Sequence, residues 1–313
     1  MTEQAPPKLY VLHENPEWYA PLAAAFDTAG LPHEQWLLGE AAVAISEPPP
    51  DGVFWSRMSA SSHTRGHPFA KDQTRGVLAW LESHGRRVVN GRRVLDLEMS
   101  KVEQLTALRA AGFDVPRTIA VAGPRGLAAA AQQVPVPFIS KHNQGGKGLG
   151  VRMFTTHQEF GDYLAGPGYE APVDGITLLQ EYLVASQPQV TRVEIVGNEF
   201  IYAITADTAR GGFQLCPADA CAVDGQGSAQ PSLFALRDRY SDPIIDRYME
   251  FAARHGIGIA GFEFIETADG RLVTYDINTT TNYNADIEAV APRPALPAVA
   301  QYLGRLLTEA RRN

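Results

Sequence analysis

Asp269-Gly270 lies between two strand-like runs, and no other short segment constrains the fold of this chain as strongly. Asp-Gly between apolar runs is the strongest short-range signal for a β-hairpin. If these two residues form the loop, Glu263 lies directly opposite Asp276 on the neighbouring strand. Side chains two residues apart share a face of a strand, so Asn278 is expected beside Asp276. Three residues of the second strand are expected to point to the other face: Val273, Tyr275 and Ile277.

This register places two carboxylates side by side. Directly opposed residues have Cβ atoms about 4.5–5.5 Å apart, and like charges at that distance are destabilising. Two carboxylates and the amide oxygen of Asn278 suit a hard cation such as Mg²⁺. The alternative is an acidic patch that faces solvent. The polar run at residues 279–284 has low helix propensity and favours a loop that lines a ligand site.

A glycine-rich segment, KHNQGGKGLGV, occupies residues 141–151 and contains four glycines, two lysines and no acidic residue. It does not match a Walker A motif, because Gly148 stands where Ser or Thr is required after Lys147. Its GxGxG spacing also differs from the dinucleotide-binding fingerprint. The flanking runs FISKH and GVRMF predict a strand on each side, so the loop could cover a phosphate as a flap. The alternative is a plain glycine hairpin.

Strand and helix patterns alternate through the first hundred residues, which predicts a small α/β layer with a parallel sheet. The predicted strands are 8–13, 52–58 and 86–91, and the predicted helices are 19–30 and 73–85. A change of pattern near residue 98 and another after the strand ITLLQEYL predict three domains. Their expected bounds are 1–98, 99–183 and 184–313.

The second domain is expected to begin with a helix, because residues 100–103 read Ser-Lys-Val-Glu, the pattern of a capping box. Lys101 then lies in the first turn, where a cation weakly opposes the helix dipole. Either this lysine is solvated or it faces an anionic ligand. Pro243 and Gly256 mark the start and the end of a later helix, and a final amphipathic helix is expected to begin near Pro297.

The charge balance argues against several classes of partner. The 313 residues carry a net charge of −8, and no block of like charge stands out, so neither a nucleic-acid nor a membrane partner is expected. The sequence has no run of 18 apolar residues and no signal-peptide layout. Cys216 and Cys221 lack the spacing of a zinc site. A cytoplasmic protein with reduced thiols is the expectation.

Taken together, these segments resemble the ATP-grasp ligases, most closely the RimK-type glutamate ligases and the glutathione-synthetase-like enzymes. The resemblance rests on the helix start at Lys101, the segments PFISKHNQGGKGLGV and LLQEYL, and the set Glu263, Asp276 and Asn278, in this order and spacing. It implies an ATP-grasp fold of mixed α/β and α+β type. Such a fold has an N-terminal Rossmann-like subdomain, a central lid subdomain and a C-terminal α+β subdomain.

The resemblance also implies the cofactors and the residues that hold them. ATP is expected with Mg²⁺, or with Mn²⁺, bound by Glu263, Asp276 and Asn278. Arg192 is expected beside the transferred phosphoryl group, and Lys141 shares the catalytic role. The residues implied to bind the nucleotide are Lys101, Lys141, Gln144, Gly145, Gly146, Lys147, Gly148, Gln180, Glu181, Tyr182 and Leu183.

The activity implied by the resemblance is an ATP-dependent carboxylate–amine ligase. Such an enzyme forms an amide or peptide-like bond through an acyl phosphate and releases ADP and phosphate. Its substrates would be a small carboxylate and a small amine, such as amino acids or a peptide, and the protein would be a homodimer or homotetramer. The alternatives are an ATP-binding sensor or partner protein without ligase activity, and a phosphotransferase on the same fold.

The sequence departs from the family at several positions around the expected substrate. Val190 stands where an acid commonly meets the ribose, which moves that contact to Gln187 or Gln189. Residues 213–216 lack the Arg and Asn of the family's F-R-x-N stretch, for which Arg210 is a candidate substitute. Asp276 replaces a more usual Glu.

Two segments supply candidate substrate contacts. Arg57 and Arg65 lie in the run WSRMSASSHTRGH, and their guanidinium groups could form paired hydrogen bonds with a substrate carboxylate. An ordinary surface arginine at a strand end is the alternative for Arg57, and His63 is expected to be structural or solvated. Thr280 and Asn282 are the candidates in the polar run after the hairpin.

Overall fold

The computed structural model describes residues 6–39, 41–146, 148, 150–211 and 232–311. Lys147, the stretch 213–216 and Cys221 therefore lie outside the described residues. Within the described part, three β-sheets and ten α-helices surround one large cavity. No helix there has both the length and the apolar character needed to cross a membrane.

The N-terminal layer is a four-stranded parallel sheet, which confirms the prediction for this region. In the order β2-β1-β3-β4, its strands are β1 (Lys8–His13), β2 (His33–Leu37), β3 (Gly52–Ser56) and β4 (Arg87–Val89). Its helices are α1 (Pro16–Thr28), a short 3-10 helix (Ser62–Arg65) and α2 (Ala70–Ser83). Strand β2 was not predicted, because its sequence HEQWL lies at the sheet edge and lacks a clear apolar alternation.

The central strands of this sheet are apolar at nearly every position because helices cover both faces. Leu9 and Trp55 pack on the side of α1, whereas Leu12 and Phe54 pack on the side of α2. All four side chains are at most 1% exposed. The alternation of faces along each strand thus produces two separate cores from one continuous apolar run.

Two consecutive helices connect this layer to the rest of the chain, α3 (Arg92–Met99) and α4 (Lys101–Ala110). Ser100 lies between them and caps α4, with its Oγ accepting a hydrogen bond from the Glu103 backbone N–H at 3.3 Å. The Glu103 carboxylate accepts a hydrogen bond from Arg93 at 2.7 Å. Lys101 is therefore the first residue of α4, as predicted.

The central sheet is antiparallel and carries the glycine-rich loop. Its strands, in the order β5-β8-β6-β7, are β5 (Thr118–Ala122), β6 (Phe138–His142), β7 (Arg152–Phe154) and β8 (Ile176–Glu181). Its helices are α5 (Leu127–Ala131) and α6 (His157–Ala165). The loop joins the paired strands β6 and β7, which confirms the predicted strand–loop–strand arrangement. Gly148 and Gly150 have φ of 69° and 71°, a region that favours glycine.

The C-terminal sheet is antiparallel, with the strand order β11-β10-β9-β12-β13. The strands are β9 (Gln189–Val196), β10 (Glu199–Asp207), β11 (Phe234–Leu236), β12 (Ile259–Glu266) and β13 (Leu272–Asn278). The helices are α7 (Thr208–Gly211), α8 (Pro243–His255), α9 (Ala285–Val290) and α10 (Ala295–Ala310). Helix α8 begins at Pro243 and ends before Gly256, as the sequence predicted.

Helix α10 packs on the N-terminal layer although it follows the C-terminal sheet in the chain. Leu303 and Leu307 are at most 2% exposed and share a core with Leu9 and Trp55. Arg311 donates a hydrogen bond to the carbonyl oxygen of Pro7 at 3.1 Å. The N-terminal and C-terminal layers are thus joined through a common apolar core, and the predicted division after residues 98 and 183 stays a prediction.

Candidate active site

A cavity of about 690 Å³ lies among the three sheets. This volume is in the range of small-molecule sites. Most of the residues predicted to bind a nucleotide line it: Lys101, Lys141, Gly145, Gly146, Gly148, Gln180, Glu181, Tyr182 and Leu183. Gln144 is buried beside the cavity, where its Oε1 accepts a hydrogen bond from Lys71 at 2.7 Å. That contact fixes the base of the glycine loop to the N-terminal layer.

The β12–β13 hairpin places Glu263 opposite Asp276, so the predicted pairing is confirmed. The predicted two-residue loop is wrong, because the strands end at Glu266 and Leu272 and leave a five-residue connection. A β-bulge compensates for the difference: Glu263 pairs with Asp276, but the next residue, Phe264, pairs with Thr274. The extra residue between the two pairs restores the register at the site.

That extra residue is Tyr275, and the prediction that it points away from Glu263 was wrong. Its hydroxyl donates a hydrogen bond to Glu263 Oε2 at 2.7 Å, and it lines the cavity. A β-bulge re-aims the side chain that it inserts, which explains the change of face. Ile277 is 1% exposed and packs in the core with Phe262 and Phe264, as predicted. Val273 is fully buried, but it pairs with Ile265 and so lies on the face of Glu263, which makes the prediction for Val273 wrong.

The two carboxylates have different cationic partners. Asp276 Oδ1 lies 2.5 Å from Lys101 Nζ, and Glu263 Oε1 lies 3.4 Å from an Nη of Arg192. Burial raises the pKa of Glu263, although Arg192 opposes this shift. Burial also acts to raise the pKa of Asp276, but Lys101, Lys141 and Arg192 outweigh it, so that the pKa is lowered. The ion pairs with Lys101 and Arg192 therefore offset the repulsion between the two carboxylates.

Asn278 completes the predicted metal set. Its Oδ1 accepts a hydrogen bond from the backbone N–H of Thr280 at 3.0 Å and a long one from Thr280 Oγ1 at 3.5 Å, so a cation would replace only the weaker contact. Across the described residues, no group of three or more His, Cys, Asp or Glu side chains is arranged to hold a metal ion. A cation at this site would therefore depend on Glu263, Asp276, the amide oxygen and ligand oxygens. Mg²⁺ favours such a mixed oxygen set.

Lys141 is buried at the same end of the cavity, with 7% of its surface exposed. Burial and the nearby charge of Lys101 lower the pKa of Lys141 to about 7. No carboxylate oxygen of the described chain lies within 4.0 Å of its Nζ. A buried ammonium group without a carboxylate partner is expected where an anionic ligand binds. Phosphate binding was predicted for the end of the cavity formed by Lys101, Lys141, Glu263 and Asp276, and we name it the phosphate end for that prediction.

Arg192 lies on β9 behind Glu263, is 4% exposed, and does not itself form the cavity wall. Its Nε is 2.6 Å from Glu194 Oε1, and an Nη donates to Thr281 Oγ1. The guanidinium group crosses directly over Gly261, where a Cβ atom would lie only 2.4 Å from Arg192 Nε. Glycine is thus required at this position of β12 for the arginine to reach Glu263.

The two arginines of the N-terminal candidate segment contact protein groups. Arg57 is 4% exposed, so it is not a surface arginine, and its Nη2 donates to Thr281 O at 2.7 Å and to Asn282 Oδ1 at 2.9 Å. Arg65 forms paired hydrogen bonds with Glu14 at 2.5 and 3.1 Å. These contacts connect the ends of the parallel strands to each other and to the loop after β13.

The remaining candidates are divided between the cavity and the surface. Thr280 and Asn282 line the cavity, as do Gln187, Gln189 and Val190. Arg210 is exposed in α7 and is not on the cavity wall. His63 is half-buried, and burial lowers its pKa.

Sequence reasoning missed Glu98, which lines the cavity near its phosphate end. Its Oε2 accepts hydrogen bonds from the Thr279 backbone N–H and Oγ1 at 2.9 and 2.8 Å, and burial raises its pKa. Glu98 precedes Lys101 by three residues, but a helix-to-helix junction lies between them. No motif in the sequence distinguishes this glutamate from a solvated one.

Several proteins of known structure have the same architecture as this chain. A RimK domain protein ATP-grasp from Sphaerobacter thermophilus DSM 20745 superimposes with a TM-score of 0.67 and 17% identity, over 94% of this chain and 98% of that one. The chain has the ATP-grasp fold. This confirms the predicted fold class and the resemblance to ATP-grasp proteins.

Two further structures agree over almost their full lengths. The ATP-grasp ligase PsnB, solved with a minimal precursor, Mg and ADP, gives a TM-score of 0.64 and 17% identity over 97% of this chain and 98% of that one. D-cycloserine synthetase DcsG gives 0.63 and 17%, over 96% and 99%. No family model matches the sequence, and no curated protein sequence matches it. At these identities the likeness establishes the fold, and the reaction has to be argued from the site.

Proposed function

We propose that this protein is an ATP-dependent carboxylate–amine ligase that forms an amide or peptide-like bond. The observation that carries the proposal is the convergence of Glu263, Asp276, Lys101 and Lys141 at one end of a cavity beside a glycine-rich loop. Two carboxylates for a cation and two lysines for phosphate oxygens are the components that a triphosphate site needs.

The cavity residues fit Mg²⁺ and ATP. Glu263, Asp276 and Asn278 would hold the cation, which when bound supplies positive charge to the triphosphate oxygens. Lys141, which has no carboxylate partner within 4.0 Å in the described chain, would bind a phosphate oxygen directly. The strand end at residues 180–183 would hold the adenine, and Gln187 or Gln189 would contact the ribose in place of the missing acid at Val190.

The reaction that suits these groups proceeds through an acyl phosphate. A carboxylate is a poor acyl donor, because its leaving group would be oxide. Transfer of the γ-phosphoryl group to the carboxylate oxygen releases ADP and creates a phosphate leaving group. An amine nitrogen then bonds to the acyl carbon, the C–O bond to phosphate breaks, and the nitrogen loses a proton. The lysines would stabilise the negative charge on the moving phosphoryl group, and Arg192 would add positive charge from behind Glu263, which it holds by an ion pair.

Water must be excluded while the acyl phosphate exists, because hydrolysis would release the phosphate without forming a bond. Three glycines of the segment between β6 and β7, Gly145, Gly146 and Gly148, line the cavity, which supports a covering role for this segment. Gly146 lies beside Ser61 of the N-terminal layer, where an added Cβ atom would be in ordinary contact at 3.4 Å. The loop would thus act as a lid that closes against the N-terminal layer.

Structural neighbours suggest the class of substrate. PsnB was solved with a precursor peptide, as was macrocyclase MdnC from Microcystis aeruginosa MRC. DcsG is a D-cycloserine synthetase. We propose that the acid and the amine joined by this protein are amino acids or segments of a peptide.

The test is to incubate the protein with ATP, Mg²⁺ and pairs drawn from a panel of amino acids. The proposal predicts equal amounts of ADP and phosphate, released only when an acid and an amine are both present. Release of AMP and pyrophosphate would contradict the acyl phosphate. ADP release that needs no amine would favour a phosphotransferase, and ATP binding without turnover for any pair would favour a sensor or partner protein.

A further inference from the structure

Glu98 presents a carboxylate to the cavity at its phosphate end. One oxygen, Oε2, accepts two short hydrogen bonds from Thr279, at 2.9 and 2.8 Å. The other oxygen, Oε1, has only long contacts, with the Ala60 backbone N–H at 3.3 Å and Thr280 Oγ1 at 3.4 Å. Hydrogen bonds of this length are weak, so Oε1 retains capacity for a further donor.

The neighbouring carboxylates at this end of the molecule each have a cation. Asp276 lies 2.5 Å from Lys101, Glu194 lies 2.6 Å from Arg192, and Glu263 lies 3.4 Å from the same arginine. Glu14, at the end of β1, pairs with its own arginine at 2.5 Å. Around the Glu98 carboxylate, by contrast, the described chain places no Lys, Arg or His nitrogen within 4.0 Å. A half-buried carboxylate without such a partner is expected where a cationic ligand binds.

The cations near Glu98, Lys101 and Arg57, interact with its carboxylate only at longer range, because each donates to other groups of the protein. We define the N-terminal wall as the cavity residues Trp18, Ser59, Ser61, Glu98, Asn278, Thr280 and Asn282. Glu98 is the one charged side chain among them. Arg57 and Arg65 lie nearby, but their guanidinium groups donate to the loop after β13 and to Glu14. This wall therefore favours a substrate group that is positive or neutral over a carboxylate.

Glu98 is also close to the place where an amine would have to react. Glu98 and Lys101 line the same cavity, and the Thr279 residue that donates to Glu98 directly follows Asn278 of the predicted metal set. An amine substrate reaches the active site mainly as an ammonium ion. It must be held next to the acyl phosphate, and it must lose a proton to the carboxylate that holds it before its nitrogen has a lone pair with which to attack. A carboxylate at this position can accept a charge-assisted hydrogen bond from that ammonium group.

We propose that Glu98 binds the ammonium group of the amine substrate through Oε1. This inference rests on the proposed ligase function, and it makes Glu98 the residue that selects an amine substrate arriving as the positively charged ammonium ion. The Ser59, Ser61 and Thr280 side chains supply neutral hydrogen-bonding groups around the same position.

The test compares an amine that is positively charged in solution with an amine that is neutral. The acid substrate is whichever acid supports ADP release in the amino-acid panel, and its concentration is saturating. The amine substrate is either methylammonium, which is positively charged near neutral pH, or hydroxylamine, which is largely uncharged there. In Glu98→Gln, the KM for methylammonium should rise about tenfold to a hundredfold, the usual effect of losing a hydrogen bond to a charged group. The KM for hydroxylamine and the affinity for Mg-ADP should stay close to wild type.

Glu288→Gln is the matched control, because this carboxylate also accepts hydrogen bonds from backbone N–H groups, at Ala295 and Leu296, but lies away from the cavity. It should change neither KM. Glu98→Asp keeps the charge and should recover part of the preference for methylammonium.

Two results would overturn the inference in different ways. If Glu98→Gln raises the KM for both nucleophiles equally, Glu98 has only a structural role and the ligase function stands. If wild-type protein releases no ADP with any acid and amine, the proposed function fails and the inference fails with it.

Discussion

Lys101 and Lys141 are neighbours at the phosphate end of the cavity, but they differ in their partners. Lys101 is paired with Asp276 at 2.5 Å, and this carboxylate raises its pKa against the effect of burial. Lys141 has no such partner in the described chain, and its pKa falls to about 7. A bound triphosphate would therefore stabilise the charged form of Lys141 and would compete with Asp276 for Lys101.

Asp276→Asn tests the metal site at the level of one residue. We expect kcat to fall about a hundredfold or more, because the charge that holds the cation and its phosphates is lost. We expect the free energy of unfolding to fall by less than about 2 kcal/mol, since losing the Lys101 ion pair is offset by less repulsion with Glu263. Calorimetric titration with Mg-ADP and denaturant unfolding measure the two effects separately.

Asp246→Asn provides the control for this change, because Asp246 is an exposed aspartate in the first turn of α8, away from the cavity. Its turnover and its affinity for Mg-ADP should equal those of wild type. If Asp276→Asn binds Mg-ADP as tightly as the control does, the assignment of Asp276 to the metal set is wrong.

The β12–β13 hairpin has one feature that the sequence predicts and one that it does not. The carboxylate pairing across β12 and β13 was predicted, because apolar alternation and Asp-Gly constrain a hairpin locally. The bulge at Tyr275 was not, because an inserted residue leaves no mark in the alternation and is stabilised by its contact with Glu263. The predicted pairing of Glu263 with Asp276 was nevertheless correct. The longer loop shifts the pairing of the strands by one residue, and the bulge shifts it back before the site.

Other parts of the site depend on contacts between elements that are distant in the chain. Arg57 was predicted as a candidate substrate contact, and its Nη2 donates to residues more than 200 positions later in the chain, while its Nη1 donates to the carbonyl oxygen of Trp18. Glu98 stands out only because, unlike the neighbouring carboxylates, it has no cation of the described chain within 4.0 Å, and no residue spacing in the sequence encodes this. The glycine loop and Lys141, in contrast, lie on one local strand–loop–strand unit and could be located directly.

Gly261→Ala tests the crossing of Arg192 over β12. The added Cβ atom would displace the guanidinium group, with which it would overlap at 2.4 Å. We expect kcat to fall about tenfold to a hundredfold, the scale of a catalytic group misplaced by about 1 Å. The KM for ATP should change little, because Arg192 does not form the cavity wall.

Gly258→Ala is the matched control on the same chain segment. Its added Cβ atom would meet Val89 and the Tyr302 hydroxyl at 2.8 and 2.9 Å, in the core and away from Arg192. It should lower stability and leave the kcat of the folded protein unchanged. Equal losses of kcat in both variants would show that Arg192 has no special role.

For the molecule as a whole, the core beneath α10 joins the first and the last described layers. All four tryptophans, Trp18, Trp36, Trp55 and Trp80, belong to the N-terminal layer. Leu303 lies on α10, is fully buried and packs in the same core as Trp55. Tryptophan fluorescence should therefore report on a core that the C-terminal helix completes.

Leu303→Ala should lower the free energy of unfolding by about 2 to 5 kcal/mol, the usual effect of such a cavity in a core. The midpoints followed by tryptophan fluorescence and by far-ultraviolet circular dichroism should shift together. Gln301→Ala, an exposed change on the same helix, should alter the free energy by about 0.5 kcal/mol or less. A fluorescence midpoint that does not move would mean that the N-terminal layer unfolds independently of α10.

Because α10 packs on the first sheet, the core between them can form only after α10 has been synthesised. A ribosome adds about 5 to 20 residues per second, so roughly 10 to 50 s separate the appearance of Trp55 from that of Leu303. Throughout that interval the apolar face of the first sheet has no helix α10 to cover it. An apolar face left uncovered in this way is the kind of surface that chaperones bind, and it is covered only when α10 emerges.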